Sequence, residues 1–105
     1  MFIAANLKLL RKRSGKSQEE LAQALGLNRS TYSGYENEVA QPSLEMLLSI
    51  SQFHKVTLDD LIAKDFSKYL DSDWNSMENH WKSGAKGTNL RILTTVVNSD
   101  NEEEV

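Results

Sequence analysis

The chain has 105 residues, 39% hydrophobic and 26% charged, with a net charge of −3 and no cysteine. Those values suit one small globular domain with an extension, and they exclude a disordered chain, a disulfide-stapled scaffold and a thiolate metal site. No apolar run reaches the roughly 18–20 residues that span a bilayer. In MFIAANLKLLRKR the basic residues follow the apolar stretch, the reverse of a secretory signal, so a reducing, cytoplasmic setting is expected.

The negative charge is unevenly placed. Residues 1–65 hold eight Lys or Arg and eight Asp or Glu, whereas residues 66–105 hold four and seven, three of them in the tail EEEV. Five of the basic residues fall between Lys8 and Lys16. Screening cuts off charges beyond about 10 Å, so local clustering governs attraction to phosphate more than net charge does.

Taken in chain order, Phe2, Ile3, Leu7 and Leu10 recur at helical spacing and predict a first helix over 2–13, ended by Ser14-Gly15. Ser17 with Glu20 three residues on is a capping box that opens a second helix, with Leu21, Ala22, Leu25 and Leu27 inward. Gly26 breaks it, and Asn28 caps a third over 29–37. Pro42-Ser43 starts a fourth with Leu44, Leu47, Leu48 and Ile50 as its apolar face. Thr57 caps a short fifth, TLDDLIAK, in which Leu58, Leu61 and Ile62 point inward. The expectation for residues 1–65 is a compact, all-α, five-helix domain.

Beyond residue 65 the pattern changes. Phe66, Leu70, Trp74, Met77 and Trp81 trace one stripe of an amphipathic helix, punctuated at its end by Ser83-Gly84 and Gly87. Residues 66–87 therefore form a helix and linker. The β-branched run NLRILTTVV predicts a lone strand at 89–97, within a segment 88–105 that ends in a disordered acidic tail. Trp74, Met77 and Trp81 either pack back onto the helical domain or form a homodimer seam.

The informative constellation is Gln18, Ala22, Gly26, Tyr32 and Tyr35. Two helices crossing steeply over a tight turn need a small residue where their backbones approach, which Ala22 supplies. They also need a turn residue tolerant of positive φ, which Gly26 supplies. Tyr32 and Tyr35, three apart, anchor the next helix. With these residues the stretch LKLLRKRSGKSQEELAQALGLNRSTYSGYENE through QPSLEMLLSISQFHKVTLDDLI resembles the phage repressor and Cro-like helix-turn-helix family, the xenobiotic response element class of bacterial regulators. The likeness covers about residues 4–63. SQEELA, the Tyr35-Glu36 pair, PSLE and TLDDL all fall in register.

The resemblance implies a transcriptional regulator, a repressor, binding double-stranded DNA as a homodimer on a two-fold symmetric operator, with the third helix in the major groove. Arg29, Ser30, Ser33 and Gly34 would then face base edges, and an Arg29 guanidinium can pair bidentately with guanine. Ser17, Gln18, Thr31 and Asn37 would contact phosphate. Ser17 also reads as a plain N-cap, and Arg29 as a solvated residue at a helix start. The family further pairs Arg11 with Glu36 between helices one and three. Three departures stand out: Gly34 where a long polar side chain is common, Glu38 where glycine usually follows the recognition helix, and Val39, Ala40 and Gln41 where basic residues usually lie.

Catalysis has no support. His54 and His80 are isolated, with His54 expected at a helix end or on the surface, and no nucleophile, metal or phosphate-loop motif occurs. No cofactor, metal, membrane or small-molecule ligand is implied. Two rival readings remain. One is a protein-interaction module that keeps the fold without operator binding, suggested by Gly34, Glu38 and the bare loop 39–41. The other is the N-terminal fragment of a larger regulator, because GTNLRILTTVV with its acidic tail resembles the linker before a LexA-like self-cleaving domain.

Overall fold

Four of the five helices after the first start on a side-chain cap. The computed structural model describes residues 1–85 and contains α1 (Ile3–Arg13), α2 (Gln18–Ala24), α3 (Arg29–Glu36), α4 (Leu44–His54), α5 (Leu58–Ala63) and α6 (Asp71–His80). Ser17, Asn28, Ser43 and Thr57 accept the backbone N–H groups of Glu20, Thr31, Met46 and Asp60, closing the starts of α2 to α5. Such caps contribute about 1 kcal/mol each. At Ser17 the box is reciprocal, because its N–H donates to Glu20 Oε1 at 2.8 Å.

The first four helices also share one ending. A residue at positive φ follows the helix, and the next N–H reaches back to the carbonyl five residues before it: Lys16 to Arg11, Leu27 to Ala22, Val39 to Gly34 and Val56 to Ser51. The left-handed residues are Gly15, Gly26, Glu38 and Lys55, with φ of 72°, 75°, 63° and 57°. Two are glycines, which take this conformation freely. Glu38 and Lys55 take it against the clash of their own Cβ.

Two apolar clusters form the interior. The larger joins Leu7 and Leu10 of α1, Leu47 and Ile50 of α4, Leu58 and Leu61 of α5, Val56, Phe66 and Met77. The smaller joins Leu21 and Ala22 of α2 to Tyr32 of α3, and half-buried Leu25 and Tyr35 pack against both. Phe2, expected on the inner stripe, caps α1 from outside the helix and is 39% exposed. Leu44, expected inside, is 51% exposed, since it sits in the first turn of α4 beyond the edge of the core. The third helix ends at Glu36, and Asn37 is its C-cap.

The inward place that apolar counting passed over is Asn6. It is 1% exposed; its Nδ2 donates to Leu61 O at 2.8 Å and Lys64 O at 2.7 Å, and its Oδ1 accepts from Phe66 N–H at 3.1 Å. One amide thus satisfies the end of α5 and the start of the next turn while tying both to α1.

The stripe from Phe66 to Trp81 is not one helix. Asp65 accepts from Ser67 N–H and shapes a 3-10 turn, Phe66–Lys68; Asp73 then accepts from Leu70 N–H at 2.9 Å, so α6 starts afresh. Leu70 falls at the break and is 69% exposed. Local carboxylate hydrogen bonds override the apolar period here. Instead of stopping at Ser83-Gly84, the chain runs on from α6 as a π turn, Trp81–Ala85. Phe66, Tyr69 and Trp74 stack with ring centroids 5.0–5.3 Å apart, and the Arg13 guanidinium lies 3.8 Å over Trp74. Trp74 and Met77 therefore pack back onto the helical domain, and Trp81 is half-buried. The strand expected at 89–97 and the acidic tail lie outside the described residues.

His54 takes the helix-end place expected of it, but its ring is half-buried and not on the open surface. It ends α4 and lines a cavity of about 290 Å³ with Leu10, Arg13, Val56, Trp74 and Met77, its Nε2 buried without a hydrogen-bond partner. Burial pulls its pKa down to about 4.

Two predictions follow from these interior polar groups. Asn6→Ala strands two carbonyls and one N–H, which should lower unfolding free energy by roughly 2–4 kcal/mol, read from urea midpoints. For His54 the folded form resists protonation that the unfolded chain accepts near 6.5. Stability is therefore full above that pH and falls as pH drops from about 6.5 toward 4, by roughly 3 kcal/mol in all. His54→Phe should flatten the slope between pH 7 and 4.5; equal slopes in both chains would assign it to other groups.

Candidate nucleic-acid interface

The direction of α3 is decided by its last residue. Glu36 is an anion whose side chain is 1% exposed, and a carboxylate so buried must be fully bonded. Arg11 of α1 donates from Nε at 2.7 Å and Nη2 at 3.2 Å, and Gln18 of α2 donates from Nε2 at 3.1 Å. Arg11 Nη1 meanwhile donates to Lys16 O at 3.0 Å, pinning the loop between α1 and α2. Three helices and one loop thus converge on a single carboxylate.

Electrostatics follow the geometry. Burial pushes the Glu36 carboxyl up, but hydrogen bonds from Arg11 and Gln18 and the Arg11 charge outweigh it and hold the group below its ordinary value. Its hydrogen bond raises Arg11 in turn. Tyr32 is fully buried; burial drives its phenol upward, and its hydroxyl donates to Leu7 O at 3.5 Å. Tyr35 meets Tyr32 edge-on at 6.4 Å. Ala22, 1% exposed, lies in the same cluster as Tyr32. At Gly26 an added Cβ would meet nothing within 4 Å, so the requirement there is the positive φ and not space.

The opposite side of α3 is open. Arg29, Ser30, Thr31 and Asn37 are exposed and Ser33 and Gly34 half-buried. Side chains three and four apart share a helix face, which groups Ser30, Ser33, Gly34 and Asn37; Asn37 Nδ2 donates to Ser33 Oγ at 3.1 Å. Arg29 stands at the leading end and carries the only Lys or Arg charge on α2 or α3. Position 34 faces the following turn, where an added Cβ would lie 3.8 Å from Val39 Cβ.

The residues expected at phosphate already have structural tasks. Ser17 accepts the Glu20 N–H on its hydroxyl oxygen and gives its own N–H to Glu20 Oε1, keeping only its hydroxyl hydrogen for an outside acceptor. Thr31 N–H is bonded to Asn28. Gln18 gives one amide hydrogen to Glu36, leaving its second for another acceptor. Two participants escaped sequence reasoning. The Lys16 carbonyl has no side-chain signature at all. Asn6 does have one: Ile3, Asn6, Leu7 and Leu10 keep helical spacing, which marks it as inward. Among the described residues no three His, Asp or Glu side chains are arranged to hold a metal ion, and no helix is long and apolar enough to cross a membrane.

Comparison with known proteins agrees with this geometry. The sequence profile of the helix-turn-helix family matches residues 7–61. The chain is 37% identical over 59 residues to the HTH-type transcriptional regulator AnsR of Bacillus subtilis, covering 56% of this chain and 51% of that protein. It is 40% identical over 60 residues to the HTH-type transcriptional activator BcrR of Enterococcus faecalis (55% and 29%). To the cryptic phage CTXphi transcriptional repressor RstR of Vibrio cholerae it is 28% identical over 62 residues (59% and 56%). The chain thus spans about half the length of AnsR and RstR and less of BcrR. No solved structure matches the chain.

Arg11→Ala leaves the Glu36 carboxylate buried without its cation and should cost about 3–5 kcal/mol of stability. Replacing both, Arg11→Met with Glu36→Met, should recover most of that loss. Denaturant melts of the three chains form the test, and a double variant no more stable than Arg11→Ala would count against the pair as the determinant.

Proposed function

The chain belongs to the helix-turn-helix family, and from that membership we propose that it is a DNA-binding transcriptional regulator which sets the leading end of α3 into the major groove. One observation carries the reading: the inner side of α3 is locked by Arg11, Gln18 and Glu36, while its outer side, Arg29 to Asn37, is polar and open. A rigid helix with a free polar face is what reading base edges requires. Arg29 reads guanine O6 and N7 by a bidentate pair, with Ser30 and Ser33 beside it. Gln18, oriented by Glu36, offers its second amide hydrogen to a phosphate, with Ser17, Thr31 and Asn37 flanking the same backbone.

The chain acts as a homodimer whose two α3 helices meet the halves of a symmetric operator, and it represses by occupying that site. Few cations surround the groove face, so each subunit makes few phosphate contacts, and linking two half-sites supplies the affinity one lacks. The relatives include both an activator and a repressor by name; repression asks only that the operator be occupied.

Selection from a random duplex pool, followed by binding titrations across salt, tests the proposal. The chain should enrich a two-fold symmetric sequence, and Arg29→Ala should weaken it roughly 5- to 150-fold while relaxing preference at one guanine. Solution mass should be that of a dimer at binding concentrations. If no duplex is bound even at low salt, the fold serves as a protein-interaction module.

A further inference from the structure

Gly34 occupies the third-from-last place of α3, and the turn beyond it is built in an uncommon way. Glu38 is held at φ 63°, and the N–H groups of Val39 and Ala40 both donate to Gly34 O, at 2.9 and 3.3 Å. In helix endings of this kind the residue at the position of Val39 is often apolar because it packs on the side chain at the position of Gly34. Here that side chain does not exist. Val39 is left 81% exposed, an isolated branched apolar group on a polar face. The turn is nevertheless closed on a non-glycine residue in a left-handed conformation, and strain of this kind persists where the surroundings impose it.

The consequence is spatial. Val39 Cβ lies 3.8 Å from where a residue-34 Cβ would be, so the valine side chain stands beside the vacant position on the Ser30–Ser33–Asn37 face. We propose that Val39 takes over the reading role of position 34 and makes an apolar contact with the 5-methyl group of a thymine, two or more base pairs from the guanine read by Arg29. This rests on the major-groove reading above. A branched hydrocarbon can discriminate the thymine methyl from the methyl-free edges of the other bases. Because no charge is involved, the contact adds sequence preference without adding salt dependence.

The test uses the full chain and the duplex it selects. Each thymine is replaced in turn by uracil, which removes only the methyl group, and affinity is measured for the chain and for Val39→Ala. Burying one methyl is worth about fourfold in affinity, so uracil at one thymine per half-site should weaken the parent chain by that factor. The same replacement should leave Val39→Ala unchanged, and that variant should lose the thymine preference at this position on reselection. Val39 is exposed, so its thermal melt should match the parent. A parent chain with a selected operator but no uracil effect that depends on residue 39 overturns the Val39 contact and leaves the groove reading intact. A parent chain with no sequence preference overturns both.

Discussion

A single buried carboxylate constrains the arrangement of the first three helices. Glu36 ends α3 out of reach of water, and its oxygens are satisfied only when Arg11 of α1 and Gln18 of α2 both reach them. An apolar contact tolerates sliding, because dispersion and burial are non-directional. A desolvated charge does not, since a small rotation of α3 would strand it at the cost of several kcal/mol. The pair adds little net stability over an apolar substitute, yet it restricts α3 to one azimuth and so decides which residues face outward.

The apolar packing supports that geometry without specifying it. Leu21, Ala22 and Tyr32 hold α2 and α3 together, and Leu25 and Tyr35 join them to the cluster around α1, α4 and α5. Further up α1 Asn6 plays a part comparable to Glu36: a buried polar group with three partners, which fixes where α5 stops relative to α1. The domain therefore combines two directional polar hubs with its hydrocarbon interior. Such hubs are sensitive to loss of one partner, which is why each shows its importance more in truncation than in presence.

The extension joins this body through Phe66, Tyr69, Trp74 and Met77. Trp74 lies under the Arg13 guanidinium and against Phe66 and Tyr69, and Met77 enters the main core. That packing uses the end of α1 and borders the pocket that His54 also lines.

How much of this was legible beforehand depends on the range of the interaction. Helix starts were readable from Ser17, Asn28, Ser43 and Thr57, because a cap acts over three residues and its signal lies within its own segment. Gly15 and Gly26 announced two of the helix ends for the same reason, while Glu38 and Lys55 did not, since nothing local favours positive φ there. Family likeness supplied the pairing of Arg11 with Glu36, but spacing alone could not have matched residues 25 apart. Only the assembled fold decided which distant groups Asn6 reaches and that the His54 ring lies against the extension. Each of those depends on which surfaces meet, and a one-dimensional pattern records periodicity and local chemistry but not the partner across the interface.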